Sequence, residues 1–129
     1  MLFRSDRTPS AIGWSFSDVV SVSGPGRWLH VSGQVAFGAD GEVHGSVGEQ
    51  SHGCFDHIEA VLARAGAGLE HVVRITVYLT DLTDYAEFSA ARAERFAGHL
   101  PASSAVQVAG LLVGATVEID AVAFVPDAG

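Results

Sequence analysis

The stretch VVRITVYLTDLTDYAEF, residues 72–88, decides the fold, because a strand pattern gives way to a helix pattern within it. Side chains alternate in its first half, with Val73, Ile75, Val77 and Leu79 on one face and Val72, Arg74, Thr76 and Tyr78 on the other. This alternation predicts a central β-strand with one apolar face and one mixed face.

A helix is predicted directly after this strand. Asp84, followed three residues later by Glu87, resembles a capping box, with Asp in place of the usual Ser or Thr. The helix would bury three aromatic residues, Tyr85, Phe88 and Phe96. Pro101 is expected to end the helix, because proline disfavours helical geometry at the residue before it.

The rest of the chain supplies strands and one more helix. A hairpin is predicted around Gly24–Gly26, with a second turn at 38–43, and an amphipathic helix is predicted between Ser46 and Gly66. Two strands follow the second helix, at 104–108 and 115–125. This order gives an α+β fold in which two helices cover one face of a mixed sheet. The other face needs a cover, which favours a homo-oligomer.

Length and composition limit the function. The 129 residues fit a single domain, 1–129, and only 17% of them are charged. The formal charge of −8 and the lack of basic runs argue against nucleic-acid binding. Neither the charged N-terminus nor any short apolar stretch predicts a signal peptide or a membrane span. The expected protein is soluble and cytoplasmic, with Cys54 as a buried core residue.

Motifs for nucleotides, hydrolase nucleophiles and metals are missing from the sequence. His52 and His57 are five residues apart, which directs them to different sides of a helix, so we expect no metal and no cofactor. Glu118 and Asp120 are more informative, because their i, i+2 spacing on a strand sends both carboxylates to one face. The alternative for this pair is the solvated face of an edge strand.

Taken in order, SAIGW, VSGQV, GEV, VVRITVYLTDLTDYAEF, LPASSAVQVAGL and VEIDAVAF resemble the YjgF/RidA family of reactive intermediate deaminases. The resemblance implies a chorismate-mutase-like α+β fold and a homotrimer with three clefts at the subunit interfaces. It also implies hydrolysis of enamines and imines to keto acids and ammonia. In active members an arginine grips the substrate carboxylate and an acidic residue positions water.

The resemblance also implies where the site residues lie. The family's arginine falls on Ser103, its tyrosine on Ser15, its helix asparagine on Ser89, and its cysteine on Ala105. Ser32, Gly33 and Gln34 are retained, and the final acidic position is kept as Asp120. We therefore predict Asp120 as the catalytic residue and Ser15, Ser32, Gly33, Ser89, Ser103 and Ala105 as the ligand-binding residues.

The loss of the arginine at Ser103 predicts a wider, less cationic cleft that binds small 2-imino acids poorly, because a hydroxyl replaces a bidentate contact poorly. Trp14 is either an aromatic wall of the cleft or an ordinary packing residue. Desolvation would raise the pKa of a partly buried Asp120 and fit it for acid or base chemistry, unless it is a passive remnant.

Two functions remain open. One is an enamine or imine hydrolase of altered specificity, and the other is a non-catalytic ligand-binding or regulatory protein. A third reading, a ribonuclease or translation inhibitor, follows older labels in the family, but the charge of −8 argues against it.

Overall fold

The alternating segment 72–79 lies inside a six-stranded sheet in the computed structural model, which describes residues 4–128. Residues 1–3 and 129 lie outside the described part. The strands are β1 (Arg4–Pro9), β2 (Ser17–Ser23), β3 (Gly26–Gln34), β4 (Val72–Leu79), β5 (Ala102–Gln107) and β6 (Val117–Pro126). The helices are α1 (Val47–Arg64) and α2 (Tyr85–Arg95), and short 3-10 turns cover Leu69–His71, Leu82–Asp84 and Leu112–Gly114.

The sheet is mixed, as predicted. Its strand order is β1-β2-β5-β4-β6-β3, and β4 runs parallel to β5 and antiparallel to β6. Both helices pack on one face, where Ile75 and Val77 of β4 are fully buried. Burying such a side chain contributes about 1.5–3 kcal/mol, so this apolar layer is the main stabilising element of the fold.

The predicted hairpin around Gly24–Gly26 is wrong. β2 and β3 adjoin this corner, but β2 pairs with β1 and β5, whereas β3 pairs with β6. Gly24 has a φ of 100°, which turns the chain sharply, and the carbonyl of Pro25 accepts a hydrogen bond from the Asp127 amide at 3.1 Å. The corner is thus held against the end of β6. Side-chain spacing does not indicate that β1 pairs with β2.

The predicted capping box at α2 is also wrong. Asp84 makes no side-chain capping bond, because the chain enters the helix through a 3-10 turn that Asp81 caps with a bond from the Thr83 amide at 2.9 Å. Glu87 instead accepts a hydrogen bond from the Gly48 amide at 3.2 Å, in the first turn of α1. The carboxylate therefore stabilises the start of the neighbouring helix.

α1 follows its prediction closely and has a true capping box between Ser46 and Glu49. α2 ends earlier than expected, at Arg95 rather than next to Pro101. Gly98, with a φ of 84°, turns the chain before the proline is reached. Pro101 therefore begins the approach to β5 instead of ending the helix.

The second face of the sheet is not covered by either helix. Thr76 of β4 pairs in register with Ser104 on one side and with Asp120 on the other, so these three side chains form a polar row across the open face. Val106 lies on the same face and is 43% exposed. Among the described residues, no helix is long and apolar enough to cross a membrane.

Candidate functional site

A buried arginine lies at the base of the site. Arg92 is on α2 and only 1% of its surface is exposed. It continues the inward-facing stripe of the helix, whose other members are Tyr85, Phe88 and Phe96. A cation therefore occupies a position where the helical pattern calls for an apolar side chain.

The guanidinium of Arg92 gathers four hydroxyl groups around it. Nε donates to Ser15 Oγ at 3.0 Å, and Nη1 donates to Ser103 Oγ at 2.9 Å. Nη2 donates to the Tyr85 hydroxyl at 2.7 Å and more weakly to Ser89 Oγ at 3.4 Å. The structure thus brings together three of the predicted binding residues, and their common partner is a residue that was not predicted.

Aromatic rings enclose the same guanidinium. Its carbon lies 4.8 Å from the ring centroid of Phe88, 5.2 Å from that of Phe16 and 5.5 Å from that of Tyr85. Such contacts favour the charged form through the ring quadrupoles. Burial lowers the pKa of Arg92, and the hydrogen bond to Tyr85 acts in the opposite direction.

Arg92 forms no ion pair with any residue in the described range 4–128. Arg95, less than one turn further along α2, shows the contrast, because its Nη2 lies 2.9 Å from Asp56 Oδ1 and 3.6 Å from Glu59 Oε1. The charge of Arg92 is therefore stabilised by neutral oxygens and aromatic faces alone.

An open cavity of about 360 Å³ lies beside this cluster. Its lining residues are Trp14, Phe16, Leu82, Tyr85, Ser103 and Ala105. Trp14 is 52% exposed, and its ring contacts Phe16 at 5.9 Å and Tyr85 at 5.7 Å between centroids. Trp14 therefore both packs on its neighbours and presents an aromatic wall to the cavity.

A second polar group occupies the open face of the sheet. The Tyr78 hydroxyl donates to Asp120 Oδ2 at 2.9 Å, and this bond to the carboxylate raises the pKa of Tyr78. Glu118 packs over the backbone of Gly33, where a Cβ would meet its Oε2 at 2.5 Å. Glycine is thus required at position 33 if the Glu118 carboxylate is to stay where it is.

The two groups lie on opposite faces of the sheet. Ser103 pairs with Ile75 and so shares the helix-covered face with Ala105, whereas Asp120 pairs with Thr76 on the open face. Gly33, at an irregularity in the pairing of β3 with β6, belongs to the open-face group through Glu118. Ser32 precedes it and is exposed. We call the first the helix-side group, built on Arg92, and the second the open-face group, built on Asp120.

Two other predictions concern cysteine and metal ligands. Cys54 is fully buried, and burial raises the pKa of its thiol to about 12, which fits a core residue rather than a nucleophile. Asp40, Glu42 and His44 hold ligand atoms within 4.8 Å of one another, and all three are exposed. His44 there bonds to Asp40 at 2.9 Å, as expected of a hydrogen-bonded surface histidine.

Comparison with known proteins identifies the family to which this fold belongs. The model of the family described as Endoribonuclease L-PSP, which includes the YjgF/RidA proteins, matches residues 6–125. The chain therefore belongs to the YjgF/RidA family. Protein DfrA of Myxococcus xanthus is 41% identical to it over 122 residues, which cover 93% of this chain and 92% of that protein.

Another relative of this RidA-family chain and a solved structure support the same family assignment. The 2-iminobutanoate/2-iminopropanoate deaminase of Rattus norvegicus is 35% identical over 124 residues, covering 95% of this chain and 88% of that protein. The crystal structure of RidA from an Antarctic Psychrobacter species matches with a TM-score of 0.73 and 32% identity, and the match covers 97% of this chain and 99% of that chain. The family resemblance and the α+β fold read from the motifs are confirmed.

The sequence motifs located Ser103 in this RidA-family chain but not the cation behind it. The less cationic cleft stays a prediction, and the structure adds a buried cation, Arg92, within hydrogen-bonding distance of Ser103. One signal could have revealed it: Tyr85, Phe88, Arg92 and Phe96 fall at i, i+3, i+7 and i+11. An arginine within such a stripe either leaves the core at the helix edge or serves a buried polar site.

Proposed function

We propose that this protein assembles as a homotrimer and binds a small metabolite in clefts between subunits. The carrying observation is that the helix-side and open-face groups lie on opposite faces of one sheet. One chain alone therefore has two half-sites. A cyclic trimer would set the helix-side group of one subunit against the open-face group of the next, and would cover the exposed open face.

The chemistry that best suits such a cleft is hydrolysis of an imine or enamine. Asp120 would take a proton from water as the water oxygen attacks the carbon of the C=N bond. The proton then passes to the nitrogen and gives an amino alcohol. The hydroxyl proton of this intermediate moves to the nitrogen as the C–N bond breaks, which releases ammonia and leaves a carbonyl group. Tyr78, bonded to Asp120 at 2.9 Å, would hold the carboxylate in place.

A relative named for 2-iminobutanoate and 2-iminopropanoate deamination supports this class of reaction. The aromatic and small apolar lining of the cavity supports a ligand with an apolar body rather than a very small imino acid. The net charge of −8 supports a metabolite rather than a nucleic acid as partner, and we place its action in the cytoplasm.

The second candidate function is non-catalytic binding. One observation favours it: the six residues that line the cavity include no carboxylate, imidazole, amine or thiol. Chemistry there depends entirely on the open-face group of another subunit. A protein that kept the cleft without using Asp120 would carry or sense its ligand.

Keto-acid release separates the two functions. Imino acids with small and with aromatic side chains are generated in situ by an amino-acid oxidase, and their hydrolysis is compared with the uncatalysed rate. For a hydrolase we expect acceleration by the natural protein and its loss in Asp120→Asn, with ligand binding retained. Sedimentation equilibrium of the same samples should give about three times the chain mass of 13.4 kDa.

A matched control removes a carboxylate from elsewhere. Asp56→Asn lies on the exposed surface of α1 and should leave the rate unchanged. An uncatalysed rate for both the natural protein and Asp120→Asn, in an intact trimer that binds ligand, would support the binding protein. A monomer at working concentration would overturn the intersubunit cleft itself.

A further inference from the structure

We propose that Arg92 is a positioning residue for ligand recognition, which acts through the Ser103 and Tyr85 hydroxyls and directs them to bind a negatively charged ligand oxygen. The inference rests on the proposed function in one respect, because it takes the cavity beside Ser103 as the ligand site. It adds a residue and a mode of recognition: the cation stays behind the wall, and two neutral hydroxyls make the contact.

The orientation of the hydroxyl protons is the first step. Ser103 Oγ and the Tyr85 oxygen each accept a hydrogen bond from Arg92, at 2.9 and 2.7 Å. A hydroxyl whose oxygen faces a donor turns its own proton away from that donor. Within the described residues, neither hydroxyl donates to another group, and both residues line the cavity. Their protons are thus free to be donated to a ligand.

The Ser15 hydroxyl differs in this respect, because it bonds to Ser89. The Ser15 hydroxyl lies 2.9 Å from the carbonyl of Ser89 and 2.8 Å from Ser89 Oγ. Ser15 therefore donates its proton within the protein. Both serines line a neighbouring open cavity of about 490 Å³ and not the one of about 360 Å³ beside Ser103. Ser15 and Ser89 hold Arg92 in place, whereas Ser103 and Tyr85 extend its influence to the ligand.

Charge is the second step. A guanidinium that is 1% exposed and lacks a carboxylate partner within the described part of the chain leaves its positive charge uncompensated. Hydrogen bonds polarise one another in a low-dielectric setting, so a hydroxyl bonded to a cation is a stronger donor than a free one. An anionic ligand oxygen bound by the Ser103 and Tyr85 hydroxyls would balance the charge of Arg92 without touching the guanidinium.

The walls define the rest of the ligand. Trp14 and Phe16 offer aromatic faces, and Leu82 and Ala105 complete an apolar lining beside the two hydroxyls. A flat apolar body fits against such faces, with its charged end at Ser103 and Tyr85. The ligand class is therefore a small carboxylate or similar oxyanion joined to an apolar or aromatic group, held by two single hydrogen bonds.

Benzoate and benzamide test this class directly, because they share a shape and differ in charge. Calorimetric titration of the natural protein should give a preference for benzoate of about tenfold, the size expected for a charge-assisted hydrogen bond. Arg92→Met keeps an unbranched apolar stem in the aromatic surround and removes the charge. It should lose the preference while benzamide binding is kept, and Arg92→Lys should restore much of the preference.

Two conservative variants test separately whether Arg92 acts through the Ser103 hydroxyl and through the Tyr85 hydroxyl. Ser103→Ala and Tyr85→Phe each remove one donor and leave Arg92 in place, and each should weaken benzoate binding about fivefold. They also keep the inference testable should Arg92→Met fail to fold. An unchanged benzoate preference in both variants would overturn the relay, as would equal affinities of the natural protein for the two probes.

Arg95→Met is the matched control, since it removes the same charge from the same helix at a group that pairs with Asp56. It should keep the benzoate preference, and an equal loss in both arginine variants would reduce the effect to net charge and overturn the inference. The test needs no turnover. A trimer that hydrolyses imines without an acid preference contradicts only this inference, whereas a monomer with the preference contradicts only the proposed assembly.

Discussion

The helix-side and open-face groups each combine a charge with hydroxyl partners, but they hold that charge in opposite ways. Arg92 is 1% exposed and surrounded by serines, a tyrosine and aromatic rings. Asp120 is half-buried on an uncovered sheet face, with Tyr78 as its partner. Desolvating an ion costs several kcal/mol, so the first arrangement is expensive and the second is not. The buried charge of Arg92 is therefore the one that folding alone does not explain.

The largest expected effect is the loss of stability on removing the buried side chain. Arg92→Ala should lower the free energy of unfolding by about 3 kcal/mol, because it leaves a cavity among three aromatic rings and removes their cation contact. Asp120→Ala should change it by less than about 1 kcal/mol. Urea unfolding followed by tryptophan fluorescence measures both. Similar losses for the two variants would show that Arg92 and Asp120 contribute equally to stability.

Restoring an arginine at position 103 should also be destabilising. Ser103→Arg removes the hydroxyl that accepts from Arg92 Nη1 at 2.9 Å and brings a second cation to the same network. We expect a loss of about 2 kcal/mol, because Arg92 loses a hydrogen-bond acceptor and gains a like charge nearby. The double variant with Arg92→Met should recover most of that loss, since the two positions share one partner network. Additive losses in the double-mutant cycle would contradict a shared site.

The open-face group should make the stability of the protein depend on pH. The Asp120 carboxylate raises the pKa of Tyr78 above the ordinary value of 10.0. The folded state therefore holds the phenol proton more tightly than the unfolded state. The resulting stability is complete below pH 10 and is lost as pH rises through the folded pKa.

Ultraviolet titration of tyrosinate tests this direction. Asp120→Asn should shift one tyrosine to a lower pH, and Tyr78→Phe should remove that component from both titration curves. The chain has only two tyrosines, Tyr78 and Tyr85, so the component that disappears in Tyr78→Phe is assigned directly. An unmoved curve in Asp120→Asn would mean that the bond between Tyr78 and Asp120 does not persist in solution.

The smallest expected effect belongs to Arg95, which is partly buried but has exposed carboxylate partners. Arg95→Met breaks ion pairs to Asp56 and Glu59, both largely exposed, and should cost less than about 1 kcal/mol. Added salt should reduce the difference further, because exposed pairs are screened. A loss matching that of Arg92→Ala would show that helix position, rather than the buried hydroxyl network, sets the cost.

Periodicity located the elements well and their partners poorly. The alternation over 72–79 and the stripe within α1 predicted a strand and a helix that the structure contains. The same alternation could not show that β2 and β3 pair with different strands, because side-chain spacing records which face is buried and not what lies alongside. Sequence motifs likewise predicted Ser103 but not its neighbour.

Arg92 escaped prediction for a physical reason. Matching site positions one by one treats Ser103 as the place where the cation was lost. The guanidinium reaches that place from α2, eleven residues earlier in the chain, through a long side chain whose direction only the packed structure defines. The three serines at positions 15, 89 and 103 make sense together once their shared donor is known.

The location of Arg92 behind the cavity wall separates the charge of the site from its shape. Residues such as Leu82 and Ala105 line the cavity without touching the guanidinium network, so they are free to vary in size while the electrostatic base stays fixed. The shape of the pocket can therefore be changed without changing its charge. A library that varies its rim and preserves the serines and Arg92 would explore new ligand bodies while retaining one common anchor for their charged end.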